Sequence, residues 1–142
     1  MHILFTEDID WQGLRTAFTT YSIRNERSTK QLSQAFKQSQ GCCFSHIDDM
    51  LIGTARPVSN HTHCTCIADV WTYPAFRRRG IAMRMLRELL RRLHHYHFYV
   101  LTDPLWLDLY AKIGFTLADK QPISMGKTRL VGRTPRFIKP PG

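Results

Sequence analysis

Three stretches of this chain hold residues whose types and spacing could do chemistry. The first is Pro74-Ala75-Phe76-Arg77-Arg78-Arg79-Gly80-Ile81-Ala82, between a strand-like run and an amphipathic one. A strand, a glycine turn and a helix in that order make an anion site, because a helix N-terminus offers unpaired N–H groups and the positive end of its dipole. Gly80 lets the backbone approach a phosphate with no Cβ in the way, and Ala82 is small enough to do the same. Arg77, Arg78 and Arg79 add charge-assisted donors. Read alone, the same residues also describe a turn followed by solvated arginines. The second stretch, Ala68-Asp69-Val70-Trp71-Thr72-Tyr73-Pro74, has Asp69 as its single carboxylate. Such a group can take a proton from a substrate or cap backbone N–H groups. The third, Leu109-Tyr110-Ala111-Lys112-Ile113-Gly114-Phe115, sets Tyr110 in a helix, where by itself it reads as a core aromatic.

A fourth run, His61-Thr62-His63-Cys64-Thr65-Cys66, has metal-ligand types. On an extended strand, however, 61, 63 and 65 face one way and 62, 64 and 66 the other. That separates the histidines from the cysteines, so a tetrahedral set is awkward and no metal is expected. With Cys42 and Cys43 these make four cysteines, in adjacent and alternate pairs that do not suggest a disulfide framework. No run approaches the roughly 18–20 apolar residues of a membrane helix. The first ten residues turn acidic after Ile3, Leu4 and Phe5, unlike a secretory signal. The expectation is a cytoplasmic protein.

The elements that must position these groups follow from periodicity. His2 to Thr6 reads as a strand. Asp10 caps a helix to about Tyr21, and Ser28 caps a second to about Ser39, ended by Gly41. Cys42–Ile47 and Met50–Val58 form a hairpin about Asp48-Asp49, and a third strand runs from His63 to Tyr73. Ile81, Ala82, Met85, Leu86, Leu89, Leu90 and Leu93 fall on one helical face, opposite Arg84, Arg87, Glu88, Arg91 and Arg92. A strand at Phe98–Thr102, a helix from Pro104 to about Ile113 and a strand from Phe115, extended through Ile123 to Met125, complete the order β-α-α-β-β-β-α-β-α-β. A meander followed by crossovers predicts one α+β domain, a mixed sheet with helices on both faces.

The charge is lopsided. The chain carries a net +9, and positions 77–92 hold seven Arg against Glu88 alone. Residues 127–142 add Lys127, Arg129, Arg133, Arg136 and Lys139 without an acid. Such an excess favours some polyanion: a nucleic acid, an anionic surface or a phosphorylated small molecule.

Two of the motifs resemble one family. Arg77-x-x-Gly80-x-Ala82 is similar to the acyl-CoA signature of the GNAT superfamily of acetyl-CoA-dependent N-acetyltransferases, Gln/Arg-x-x-Gly-x-Gly/Ala. Leu109 to Phe115 resembles that family's Leu/Phe-Tyr-x-x-x-Gly-Phe segment. The two stand in the family order with a strand between them. The resemblance covers residues 1–126; residues 127–142 form a basic, proline-containing tail outside it. It departs at Arg78 and Arg79, where Gly or polar residues are common, and at Trp106, a position usually small.

The resemblance implies a mostly antiparallel central sheet of about six or seven strands. It implies acetyl-CoA as cosubstrate, its diphosphate over Arg77, Arg78, Arg79, Gly80, Ile81 and Ala82. Its pantetheine arm would pair with Val70, Trp71 and Thr72, with Asp103 near the pantetheine amide. Tyr110 would protonate the leaving thiolate, its pKa of about 10 lying near that of an alkyl thiol, and a backbone N–H at Val70 would serve the oxyanion. Asp69 is the first candidate base, His61 and His63 lesser ones. The expected activity is direct acetyl transfer to a primary amine of a small molecule or peptide, without a metal. A membrane is not an expected partner, nor is a nucleic acid; a homodimer is one expected assembly. The alternatives are a basic nucleic-acid-binding domain, which explains the charge but neither motif, and an acyl-CoA-binding module without catalysis.

Overall fold

The computed structural model describes residues 2–4, 8–21, 26–39, 41–59, 64–93, 97–102, 104–117 and 136–139. Its elements run β1 (His2–Leu4), α1 (Trp11–Thr20), α2 (Thr29–Gln38), β2 (Cys43–Ile47), β3 (Met50–Ser59), β4 (Cys64–Thr72), α3 (Ile81–Arg92), β5 (His97–Leu101), α4 (Leu107–Lys112), β6 (Thr116–Leu117) and β7 (Arg136–Lys139). Short 3₁₀ turns, Pro74–Phe76 and Pro104–Trp106, precede α3 and α4.

Local chemistry sets the ends of these elements. Asp10 accepts from the Gly13 N–H at 3.0 Å and starts α1. Ser28 and Gln31 exchange side-chain and backbone bonds in a capping box that starts α2. Asp48 and Asp49 both take positive φ, 48° and 66°, the pattern of a tight two-residue hairpin turn between β2 and β3.

The strands lie in the order β1-β2-β3-β4-β5-β7-β6. All neighbours are antiparallel except β4 and β5, so the sheet is mixed. Adjacent residues of β2 reveal its two faces. Phe44 packs with Leu14, Phe18, Leu32 and Phe36 of α1 and α2. Cys43 packs with Ile52, Ala55 and α3, through Ile81, Met85 and Leu89. Helices therefore cover both faces. The next stripe of α3, Leu86 and Leu90, meets Ile67, Phe98 and Val100, together with Tyr110, Ile113 and Phe115 around α4. Each such large apolar side chain contributes about 1.5–3 kcal/mol by leaving water.

Two expectations change. Pro104 opens a 3₁₀ turn, and the α-helix begins only at Leu107. Beyond residue 126, where no strand was expected, residues 136–139 pair with β5 on one side and β6 on the other. Phe137 and Ile138 supply strand-forming residues, and Pro135 and Pro140 bound the run. The expected strand through Ile123–Met125 lies outside the described residues, as do Asp103, His61 and His63.

Candidate active site

The site centres on the far half of β4. Parallel pairing with β5 covers only Cys64–Ile67 against His97–Val100. From Ala68 onward β4 leaves β5, and its edge on that side has no strand partner among the described residues. Val70, Trp71 and Thr72 lie on this open stretch. The Thr72 hydroxyl is buried without a hydrogen-bond partner among the described residues. An unmet hydroxyl beside an open strand edge suits a ligand carrying amide groups.

A bulge shapes the strand here. β3 and β4 lose register between Thr54 and Arg56, and opposite them Asp69 takes φ +48°, a left-handed conformation that costs a non-glycine residue about 1–2 kcal/mol. Ile67 and Val70 consequently pack on the same face, toward α3, which strict alternation forbids for residues three apart. Trp71 faces α1, its ring 5.3 Å from that of Phe18.

β4 leads through the Pro74–Phe76 turn into the arginine loop. Arg77 donates from Nε to the Thr72 carbonyl at 2.9 Å, and the Arg79 guanidinium lies over the Phe76 ring at 5.4 Å. Arg78 and Gly80 have φ of 64° and 77°. Gly80 is the N-cap of α3 and supplies no side-chain cap, so the first N–H groups of the helix stay available. A Cβ built on Gly80 would meet nothing within 4 Å and would project into the open space before the helix. Alternating left-handed residues next to an uncapped helix form the concave nest of N–H groups that holds anions. Ile81, buried, pins the first turn of the helix to the core.

Tyr110 lies on α4 and is almost wholly buried, its ring 5.5 Å from Phe115 in edge-to-face contact. Its main-chain oxygen accepts from the Phe115 N–H at 3.0 Å, which closes the helix at Gly114. Burial, with a smaller contribution from the nearby Cys66 thiol on β4, lifts its phenol above the ordinary range. The hydroxyl therefore keeps its proton at any physiological pH. Trp106 stands at the N-terminal boundary of α4 without a side-chain cap and is about half exposed.

Asp69 is the least expected part of the site. Arg27, in the segment before α2, grips its carboxylate with a two-pronged fork: Nη1 to Oδ2 at 3.0 Å and Nη2 to Oδ1 at 2.9 Å. Arg56 of β3 adds a bond from Nε to Oδ2 at 2.7 Å. Burial works against the charge, but the bonds from Arg27 and then Arg56 outweigh it and hold the carboxyl below its usual range. Arg27 and Arg56 escape a sequence reading, because they stand 42 and 13 residues from Asp69 and only tertiary packing brings them to one acid.

A cavity of about 640 Å³ opens elsewhere, between the start of α1 and the β2–β3 turn, with Asp8, Asp10, His46, Trp71 and Tyr73 in its walls. It includes neither the arginine loop nor Tyr110. Among the described residues no group of three His, Cys, Asp or Glu could hold a metal ion, and no helix is long and apolar enough to cross a membrane.

Residues 6–115 match the acetyltransferase (GNAT) family, and the chain belongs to it. No curated protein sequence matches the chain. Solved structures repeat the fold. A phosphinothricin acetyltransferase from Sinorhizobium meliloti, in complex with AcCoA, superposes with a TM-score of 0.78 at 14% identity, over 99% of this chain and 88% of that one. Rv2747 from Mycobacterium tuberculosis, in complex with CoA, gives 0.70 at 21%, over 87% and 76%. N-acetylglutamate synthase from Neisseria gonorrhoeae, complexed with coenzyme A and L-arginine, gives 0.73 at 15%; this chain covers 33% of its length.

Proposed function

We propose that this protein transfers an acetyl group from acetyl-CoA directly to a primary amine of a small molecule or peptide. The observation that carries the reading is the parting of β4 from β5 at Ala68, next to the uncapped, left-handed entry to α3. The residues present fit such a cosubstrate. The nest at 78–82 would hold its diphosphate, with Arg78 and Arg79 as exposed cations and Arg77 fixing the loop. The open edge at Val70–Thr72 would pair with its amide-bearing arm. When bound, acetyl-CoA supplies an activated acyl group on a thiol leaving group.

The chain's own groups then have separate tasks. The Val70 N–H would donate to the carbonyl oxygen as negative charge grows there. The amine nitrogen would form its bond to the acyl carbon as the carbon–sulfur bond breaks, with the Tyr110 hydroxyl giving its proton to the departing sulfur and the proton shed by the new amide nitrogen returning through solvent to the Tyr110 oxygen. The amine must arrive neutral. Asp69, the sequence candidate for that deprotonation, is already committed to two guanidinium groups, and in this reading the proton goes to solvent.

The test is calorimetry with acetyl-CoA followed by mass spectrometry of a panel of amines, amino acids and peptides. Saturable binding and a mass gain of one acetyl group on an amine are expected. Absence of binding would sink the reading, and binding with no transfer to any amine would favour a module that only holds acyl-CoA.

A further inference from the structure

The carboxylate of Asp69 is not used in the chemistry above, yet three side-chain hydrogen bonds hold it. Both of its oxygens are engaged by Arg27, and one also by Arg56. Its main-chain oxygen accepts from the buried Thr54 hydroxyl at 2.7 Å. Side chain and backbone are thus fixed together at a residue with a left-handed φ of +48°.

The two arginines carry that fixation outward. The Arg27 main-chain oxygen accepts from Arg15 Nε of α1 at 2.9 Å, and Arg27 lies two residues before α2 begins. Arg56 donates from Nη1 to Ser39, the residue that follows α2, at 3.2 Å and lies over the Phe36 ring at 5.8 Å. One carboxylate therefore ties both ends of α2 to the bulge of β4. The pairs are mostly withdrawn from water, with side-chain exposures of 27% for Arg27, 16% for Arg56 and 10% for Asp69, so salt screens them little.

We propose that Arg27, Asp69 and Arg56 form a positioning clamp. It holds the β4 bulge in the shape that leaves the Val70 main chain on the open strand edge, and it fixes residues 26–28 against that bulge. Asp69 is then a positioning residue and not the base. The kinetic consequence rests on the acetyl-transfer reading; the structural one does not.

Asp69→Asn separates the roles, since asparagine tolerates left-handed φ and keeps the shape while losing both ion pairs. A clamp predicts a kcat about 10- to 100-fold lower, as for a misplaced reacting group, with acetyl-CoA affinity and the shape of the pH–rate curve unchanged. Arg27→Gln should lower kcat in the same way, and Asp69→Asn with Arg27→Gln should be no worse than Asp69→Asn alone. A changed pH–rate shape in Asp69→Asn, with wild-type kcat in Arg27→Gln, would overturn the clamp in favour of a base. Amide hydrogen exchange in the full chain gives a readout without activity. Residues 68–72 and 26–28 should both exchange at least about tenfold faster in Asp69→Asn, and unchanged exchange in both segments overturns the proposal. Should wild type acetylate nothing, the enzymatic reading fails while exchange still judges the clamp. Should Asp69→Asn not fold, Arg27→Lys and Arg56→Lys keep the charge and lose the fork geometry; they should show the same faster exchange to a smaller degree, and wild-type exchange in both would overturn the clamp.

Discussion

Arg77 Nε lies 2.9 Å from the main-chain oxygen of Thr72, so the loop after β4 folds back onto the strand that precedes it. An arginine in a phosphate motif invites a purely electrostatic reading, but this one closes the loop. Arg77→Ala should lower stability by about 0.5–1.5 kcal/mol, the worth of one such bond. It should weaken acetyl-CoA binding at low and high salt alike. Arg78→Ala and Arg79→Ala should weaken binding mainly at low salt. Thermal melts and calorimetry at two ionic strengths distinguish the two behaviours.

Gly80 is required for two separate reasons. Its φ of +77° disfavours any side chain, and a Cβ there would enter the space before α3. Gly80→Ala should cost about 1–2 kcal/mol of stability from conformation alone. Gly80→Val should in addition abolish acetyl-CoA binding, measured by calorimetry. Micromolar affinity retained in Gly80→Val would remove the diphosphate from this loop.

Tyr110→Phe deletes one polar atom from a packed ring, and the fold should survive. Turnover should fall by about one to three orders of magnitude, somewhat below to within the usual range for loss of a general acid, with acetyl-CoA affinity unchanged. Because the buried phenol titrates above its ordinary range, wild type should lose no activity to Tyr110 ionisation below about pH 10. The rate should instead climb with the neutral fraction of the acceptor, toward an amine pKa of about 10.4. A wild-type pH–rate curve for Tyr110→Phe would return the residue to core packing.

Cys42 and Cys43 are buried, and burial pushes both thiols from 9.0 to about 12. Folded-state pKa values above the unfolded ones mean that the native state retains protons the unfolded chain gives up. Their contribution is therefore complete below pH 9 and is lost as pH rises from 9 toward 12. Denaturant melts across that window should show a falling midpoint, less steep in Cys43→Ala. Thiol-reactive dyes should label Cys42 and Cys43 only on unfolding.

Much of this fold is legible locally. Asp10 and Ser28 announce two helix starts, Asp48-Asp49 a hairpin, and the stripe Ile81, Met85, Leu86, Leu89, Leu90 a buried helix face; each depends on neighbours within a few residues. The bulge at Asp69 is not legible, because it arises from a register between β3 and β4 that no local pattern encodes. The partnership of Arg27 with Asp69 is hidden because it joins residues 42 apart through tertiary packing. β7 escapes notice because its short run lies among prolines and basic residues, and only pairing with distant β5 and β6 makes it a strand.

That late strand gives the chain a particular order of assembly. β7 enters between β5 and β6, both of which come earlier in sequence. Until residues 136–139 have been synthesised, β5 has one edge with no native partner, and its backbone donors and acceptors are open to any extended chain. Vulnerability to association at this edge of β5 thus belongs to a chain that lacks residues 136–139, and β7 removes it by filling the slot between β5 and β6.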